Sequence, residues 1–249
     1  MTAQIGDIYK YQKQEFTIVA LSSAMLFDPK NYGLEPHASS TACWRGYWCE
    51  YAIDDDELLL KDLYLFNSDD KYPPLNGVEV SPPEFKEYES IDGKKITMKA
   101  HFGHRVYKDV NMPIPYTGKI LLGDGFMQEY YIHMGFQRGW AYKQLIELVF
   151  EEGILLECND LSHIAKAQRE AMKQGNVNPR RPGGDNIPKF VEDSFSLDYA
   201  DKAWWIKGAW DMVVRQELYC RIKKRWYTNI RRTISMSRAI GTATAFMTV

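Results

Sequence analysis

An α+β fold, with a mainly antiparallel sheet or barrel-like body followed by a basic, Trp-rich helical module, is what this sequence predicts. Two observations carry the fold, and a third sets the C-terminal module apart. Strand-forming runs dominate up to about residue 160, two segments about a hundred residues apart repeat one order of signals, and charge divides sharply along the chain. Residues 202–249 hold ten Lys or Arg against two acids, Asp211 and Glu217, while residues 1–201 hold 21 against 31. The formal charges are therefore +8 and −10 behind a whole-chain value of −2. Such asymmetry bears on partners and docking rather than on fold.

Taken in order, Phe16–Leu21 is β-branched and apolar and reads as a strand. Trp44–Ile53 and Glu57–Phe66 flank the acidic turn Asp54-Asp55-Asp56 and read as a hairpin. Tyr72–Phe85 carries four prolines and a Leu-Asn-Gly turn, the marks of a surface loop. Further strands are expected at Lys95–His101 after the Asp92-Gly93 turn, Arg105–Val110, Lys119–Leu122, and Tyr142–Phe150 with Ile154–Cys158 around Glu151-Glu152-Gly153. A helix is expected over Asp160–Gln174, with Ser162 as its N-cap and Gly175 near its end. From Ser196 or Asp198, a longer helix is expected to about Thr228, with Trp205, Met212, Tyr219 and Trp226 seven residues apart.

The repeat pairs residues 16–66 with 116–161. In each, a strand leads to a stretch expected to be helical and ending near Gly33 or Gly135, then to an Arg-Gly-aromatic element, then to a hairpin with an acidic turn. Arg45-Gly46-Tyr47-Trp48 corresponds to Arg138-Gly139-Trp140-Ala141. A duplication of this kind makes each segment a β-α-β-β unit that buries its face only by packing on the other. The expected organisation is thus a β-rich domain over 1–175, a Pro- and Gly-rich linker over 176–189, and the basic helical module over 190–249.

With 249 residues, 45% of them hydrophobic, the chain can bury roughly 70–75% of its unfolded surface, enough for one large domain or one domain plus an appended module. Tyr (16) and Trp (7) together outnumber Phe (11), so many rings carry a polar handle suited to walls and interfaces. Cys43, Cys49, Cys158 and Cys220 are scattered, and the Cys-x5-Cys spacing fits neither a zinc knuckle nor a redox pair. Met1–Phe16 is too polar for a signal peptide, and no run reaches the 18 apolar residues of a membrane span. The expectation is a soluble, cytoplasmic protein of bacterial or phage type, holding neither metal nor cofactor.

Catalytic motifs are scarce. No phosphate loop, Gly-x-Ser-x-Gly elbow or His-Glu-x-x-His pair occurs. Of five histidines, His101 and His104 alone lie close, and on a strand their separation of three would send the rings to opposite faces unless the chain turns at Gly103. His101, His104 and His133 are the candidates for acid-base work. Arg45 and Arg138, with Trp44, Trp48 and Trp140 as walls, are the candidates for holding a small anion, because a guanidinium fork matches phosphate or carboxylate and indoles stack on a base. Arg221, Lys223, Lys224, Arg225, Trp226, Arg231 and Arg232 would suit a phosphate backbone, a partner, or the acidic body itself.

The leading expectation is a non-catalytic interaction protein that binds a protein partner, a second copy of itself, or a small nucleotide-like anion. Its rivals are a hydrolase or transferase acting on a phosphate-containing substrate and a nucleic-acid binder working through the basic helix.

Overall fold

In a computed structural model, residues 2–22, 25–68, 71–175 and 187–199 are described. The chain divides into a first compact unit, Met1–Trp204, and a second, Trp205–Val249, which lies outside the described residues.

The first unit is a closed barrel of seven strands. β1 (Ile8–Tyr11), β2 (Gln14–Leu21), β3 (Tyr47–Asp54), β4 (Glu57–Leu65), β9 (Gly118–Phe126), β10 (Tyr142–Glu151) and β11 (Ile154–Asp160) build its wall. Around the barrel they run β11-β10-β9-β2-β1-β3-β4, and Ile154 opposite Glu57 closes β11 onto β4. Closure is made at two hairpin tips. Leu58 donates its backbone N–H to Gly153 and Leu155 donates to Asp56, each at 2.8 Å. Every pairing in the wall is antiparallel except β1 with β3. Short strands β7 (Arg105–Tyr107) and β8 (Met112–Pro113) pair with the rest of the outer edge of β4.

Three two-residue turns set the registers: Gln12-Lys13, Asp55-Asp56 and Glu152-Gly153 all have positive φ at both residues. Turns of that hand match the twist of antiparallel strands, so the expected acidic hairpin tips follow from backbone geometry as well as from solvation. Period-two alternation then fills the inside. Tyr9, Ile18, Leu58, Leu60, Leu63, Leu122, Leu148 and Phe150 belong to one buried cluster.

β2-β3-β4 and β9-β10-β11 share one plan, a strand followed by an antiparallel hairpin, with β2 beside β9 and β4 beside β11. β1 is inserted between β2 and β3 and has no counterpart in the second segment. The expected helices between strand and hairpin are single 3-10 turns, Pro29–Tyr32 and Gln128–Tyr130. Pro29 starts the first, and Gly33, at φ 72, ends it after one turn.

α1 (Ser162–Gln174) packs Ile164, Ala165 and Met172 inward, and Arg169 on it donates to the carbonyls of Trp140 and Tyr142 at 3.0 and 2.8 Å. Ser162 is not its cap. The N-cap is Leu161, and the Ser162 hydroxyl accepts from the backbone of Leu145 instead. α2 (Ile187–Phe195) belongs to the first compact unit, although the sequence places it at the head of the C-terminal module. Its segment spans both halves of the barrel: Phe136 donates to Ser194, and Leu21 donates to Leu197.

β5 (Phe85–Glu89) and β6 (Lys95–Lys99) form a separate two-stranded ribbon. No barrel strand pairs with it among the described residues.

Candidate functional site

A polar and aromatic cluster lies on the outer face of β3 and β4, where outward residues alternate with the core. Trp48 and Tyr64 stack at 4.7 Å between ring centroids, nearly parallel at 8°. Beside them Glu50, only 8% exposed, accepts the Tyr64 hydroxyl at 3.0 Å and pairs with Lys10 of β1. Burial and the Glu50 carboxylate both raise the Tyr64 pKa, keeping the phenol a donor.

The loop joining β6 to β7 brings both central histidines onto this cluster. His101, at φ 50, and Gly103, at φ 84, bend Ala100–His104 into a 3-10 turn. The turn at Gly103 that a shared location requires is therefore present. His104 is 4% exposed, wedged edge-on against Trp48 at 4.6 Å, with Phe66 at 6.3 Å. Its Nδ1 lies 2.8 Å from the backbone carbonyl of His101, and its Nε2 lies 3.2 Å from the Ser39 hydroxyl. A carbonyl only accepts, so Nδ1 carries the proton and Nε2 takes the Ser39 hydrogen. Burial holds the His104 pKa below the ordinary imidazole range, which keeps this neutral tautomer at neutral pH. The His101 ring rests against Tyr64 at 5.1 Å and reaches Glu84 at 3.1 Å, and Glu84 also takes Lys108. The two histidines thus meet through one backbone carbonyl. Among the described residues, no group of three or more His, Cys, Asp or Glu is placed to hold a metal ion.

A second, similar centre lies on the other half of the barrel. Glu147, 2% exposed, faces Lys119 of β9 at 3.2 Å from both carboxylate oxygens and accepts the Tyr199 hydroxyl. Glu50 and Glu147 each stand four residues before the end of their strand, opposite Asp62 and Asn159. The repeat points to these glutamates. In the sequence alone its arginines are more conspicuous, because a guanidinium fork matches an anion.

Arg45 forks onto Asp7 at 2.6 and 3.0 Å, and Asp7 also accepts the backbone N–H of Cys49 at 2.7 Å. Burial opposes the charge on Arg45, and the facing carboxylate outweighs it. The Tyr47 ring lies 4.9 Å from the guanidinium and Phe136 lies 5.9 Å away. Arg138 and Trp140 are buried at the foot of β10, whereas Arg45 is half-buried. Trp44 is 52% exposed and tilts on Phe195 of α2 at 5.5 Å. Trp48 alone of the tryptophan walls joins the histidines. His133 is exposed, edge-on to Tyr131 at 6.0 Å, in the loop between β9 and β10. Arg221, Lys223, Lys224, Arg225, Trp226, Arg231 and Arg232 lie outside the described residues.

The β5–β6 ribbon is the other unusual surface. All ten of its strand residues are exposed. The pairing of Tyr88 with Ile96 and Lys86 with Met98 puts Tyr88, Ile96 and Met98 together on one face, and Ile91 projects fully exposed at the tip. Opposite, Glu87 and Lys95 pair at 3.6 Å. The sequence marks the second strand of this arm and the Asp92-Gly93 turn, but not β5, in which three of the five residues are charged.

The fold and its surfaces define a closed, mainly antiparallel barrel that carries a polar cluster on its wall and a projecting ribbon. The chain matches no protein family, no curated protein and no solved structure.

Proposed function

We propose that this chain is an interaction protein that binds a protein partner through the β5–β6 ribbon. The observation that carries the reading is a ribbon whose strand residues are all exposed and whose Tyr88, Ile96 and Met98 share one face. A two-stranded ribbon is marginal in water, and it gains stability when an apolar face is covered. Residues 85–99 hold four Lys against three acids, a balance that favours an apolar protein surface over a polyanion. The partner expected is a surface with an exposed apolar strip and a mixed-charge rim, on another protein or on a second copy of this chain. Binding of a small anion by Arg45 is the less supported alternative, because its fork already faces Asp7. The shared plan of β2-β3-β4 and β9-β10-β11, with Glu50 and Glu147 at corresponding places in their hairpins, supports descent from a duplicated unit.

The test is a triple substitution, Tyr88→Ser, Ile96→Ser and Met98→Ser, in the full chain. Affinity for a purified partner, or self-association measured by sedimentation, is expected to fall at least tenfold with the barrel's circular dichroism unchanged. Unaltered binding would refute the assignment of the ribbon.

A second reading follows from the +8 charge of residues 202–249, which supports nucleic-acid contact. On that reading affinity for single or double strands falls steeply with salt, with a log-log slope of about −4 to −5 for six phosphate contacts. A slope near zero would exclude it.

A further inference from the structure

Ser39, His104 and the backbone of His101 form a hydrogen-bonded chain beside the barrel wall that uses no strand residue of the ribbon. The Ser39 hydroxyl donates to Nε2 of His104 at 3.2 Å, and Nδ1–H of the same ring donates to the His101 carbonyl at 2.8 Å. We propose that Ser39 is a nucleophile, activated by His104, that accepts the acyl group of a small activated carboxylic ester.

Four observations carry this assignment. The tautomer is fixed by a neighbour that can only accept, so the lone pair of Nε2 faces the hydroxyl. The ring cannot swing away, because Trp48 and Phe66 flank it and it is 4% exposed. Ser39 is half-exposed, so the residue borders solvent while the base stays shielded. The carbonyl that orients the base belongs to a non-glycine residue held at φ 50, with its ring tied to Glu84 at 3.1 Å. Such strained backbone concentrates at working sites.

The chemistry balances within this set. Ser39 Oγ attacks the ester carbonyl carbon as its proton passes to His104 Nε2. The tetrahedral adduct then breaks its bond to the alkoxy oxygen, which leaves with that proton as an alcohol. Water attacks the acyl-serine, its proton goes to Nε2 and on to Ser39 Oγ, and the carboxylic acid is released. A neutral carbonyl stabilises the imidazolium less than a carboxylate would. The relay therefore suits esters whose leaving group needs little protonation, rather than amides.

The experiment treats the full chain with a fluorophosphonate probe and with p-nitrophenyl acetate, locating adducts by peptide mass spectrometry. One equivalent of label on Ser39 is expected, with release of nitrophenolate. Ser39→Ala should abolish the adduct, and His104→Gln should slow it by about 100-fold or more. Ser40→Ala is expected to react as the unsubstituted chain does. In the unsubstituted chain the labelling rate should rise as His104 loses its proton and be level above pH 7, a profile that a purely structural hydrogen bond would not produce. That profile carries the test if His104→Gln does not fold. Absence of label on Ser39, labelling undiminished in folded His104→Gln, or a rate that climbs steadily to pH 10 would each overturn the proposal.

Discussion

Asp7 shows how one residue ties the first strand to the Arg-Gly element. Its side chain takes both arms of the Arg45 guanidinium and the Cys49 amide, so a single substitution leaves a largely buried cation facing a neutral group. Asp7→Asn should destabilise the chain by about 3 kcal/mol, near the low end for a broken buried pair, because the Arg45 side chain keeps 21% of its surface in water. The midpoint of urea denaturation reads this directly, and no shift would mean that the pair contributes nothing. His104 makes a pH-dependent contribution of known sign. Its pKa in the folded chain lies below the ordinary value of about 6.5, so the unfolded chain takes up the proton first as pH falls. The contribution is whole above pH 6.5 and is lost as pH falls through the folded value. Stability of the unsubstituted chain should therefore fall more steeply below pH 6.5 than that of His104→Gln. Parallel curves would contradict the buried, neutral assignment. From sequence the histidines were legible as a pair, and Gly103 as the place where they would have to turn. Ser39 was not legible, because it lies 65 residues away and only the fold brings it to Nε2.

At the scale of elements, the hairpins were the most readable parts, since acidic tips between apolar runs need both solvation and positive φ. β1 escaped because four residues, Ile8–Tyr11, are too few to show a period. The connecting helices failed for a different reason: Pro29 and Gly33 confine the first to one turn. α2 is held by a contact that sequence does not reveal. A methyl group added at Gly135, itself at φ 64, would sit 2.1 Å from the Ser194 carbonyl oxygen. Gly135→Ala should cost about 1–3 kcal/mol through overpacking and should increase hydrogen exchange in residues 191–199 more than in the barrel strands. Equal exchange throughout would show that α2 is not seated by this contact. The ribbon obeys the opposite rule. Its substitution to serine should change stability by no more than about 0.5 kcal/mol, as for other surface positions away from packed contacts.

Across the whole molecule, closure through β4 and β11 leaves the barrel wall without an open edge at that seam, whereas the ribbon keeps both of its outer edges unpaired among the described residues. The barrel-like body was legible from many short antiparallel signals and from the repeat. Its closure was not, because it depends on the tips of two hairpins separated by about a hundred residues. The function proposed here rests on that contrast between a sealed wall and a projecting arm. Its most direct measurement is calorimetric titration of a purified partner into the full chain and into the chain carrying Tyr88→Ser, Ile96→Ser and Met98→Ser. The account predicts unchanged thermal unfolding and a loss of affinity of at least tenfold, about 1.4 kcal/mol or more. Equal affinity in two equally stable chains would contradict it.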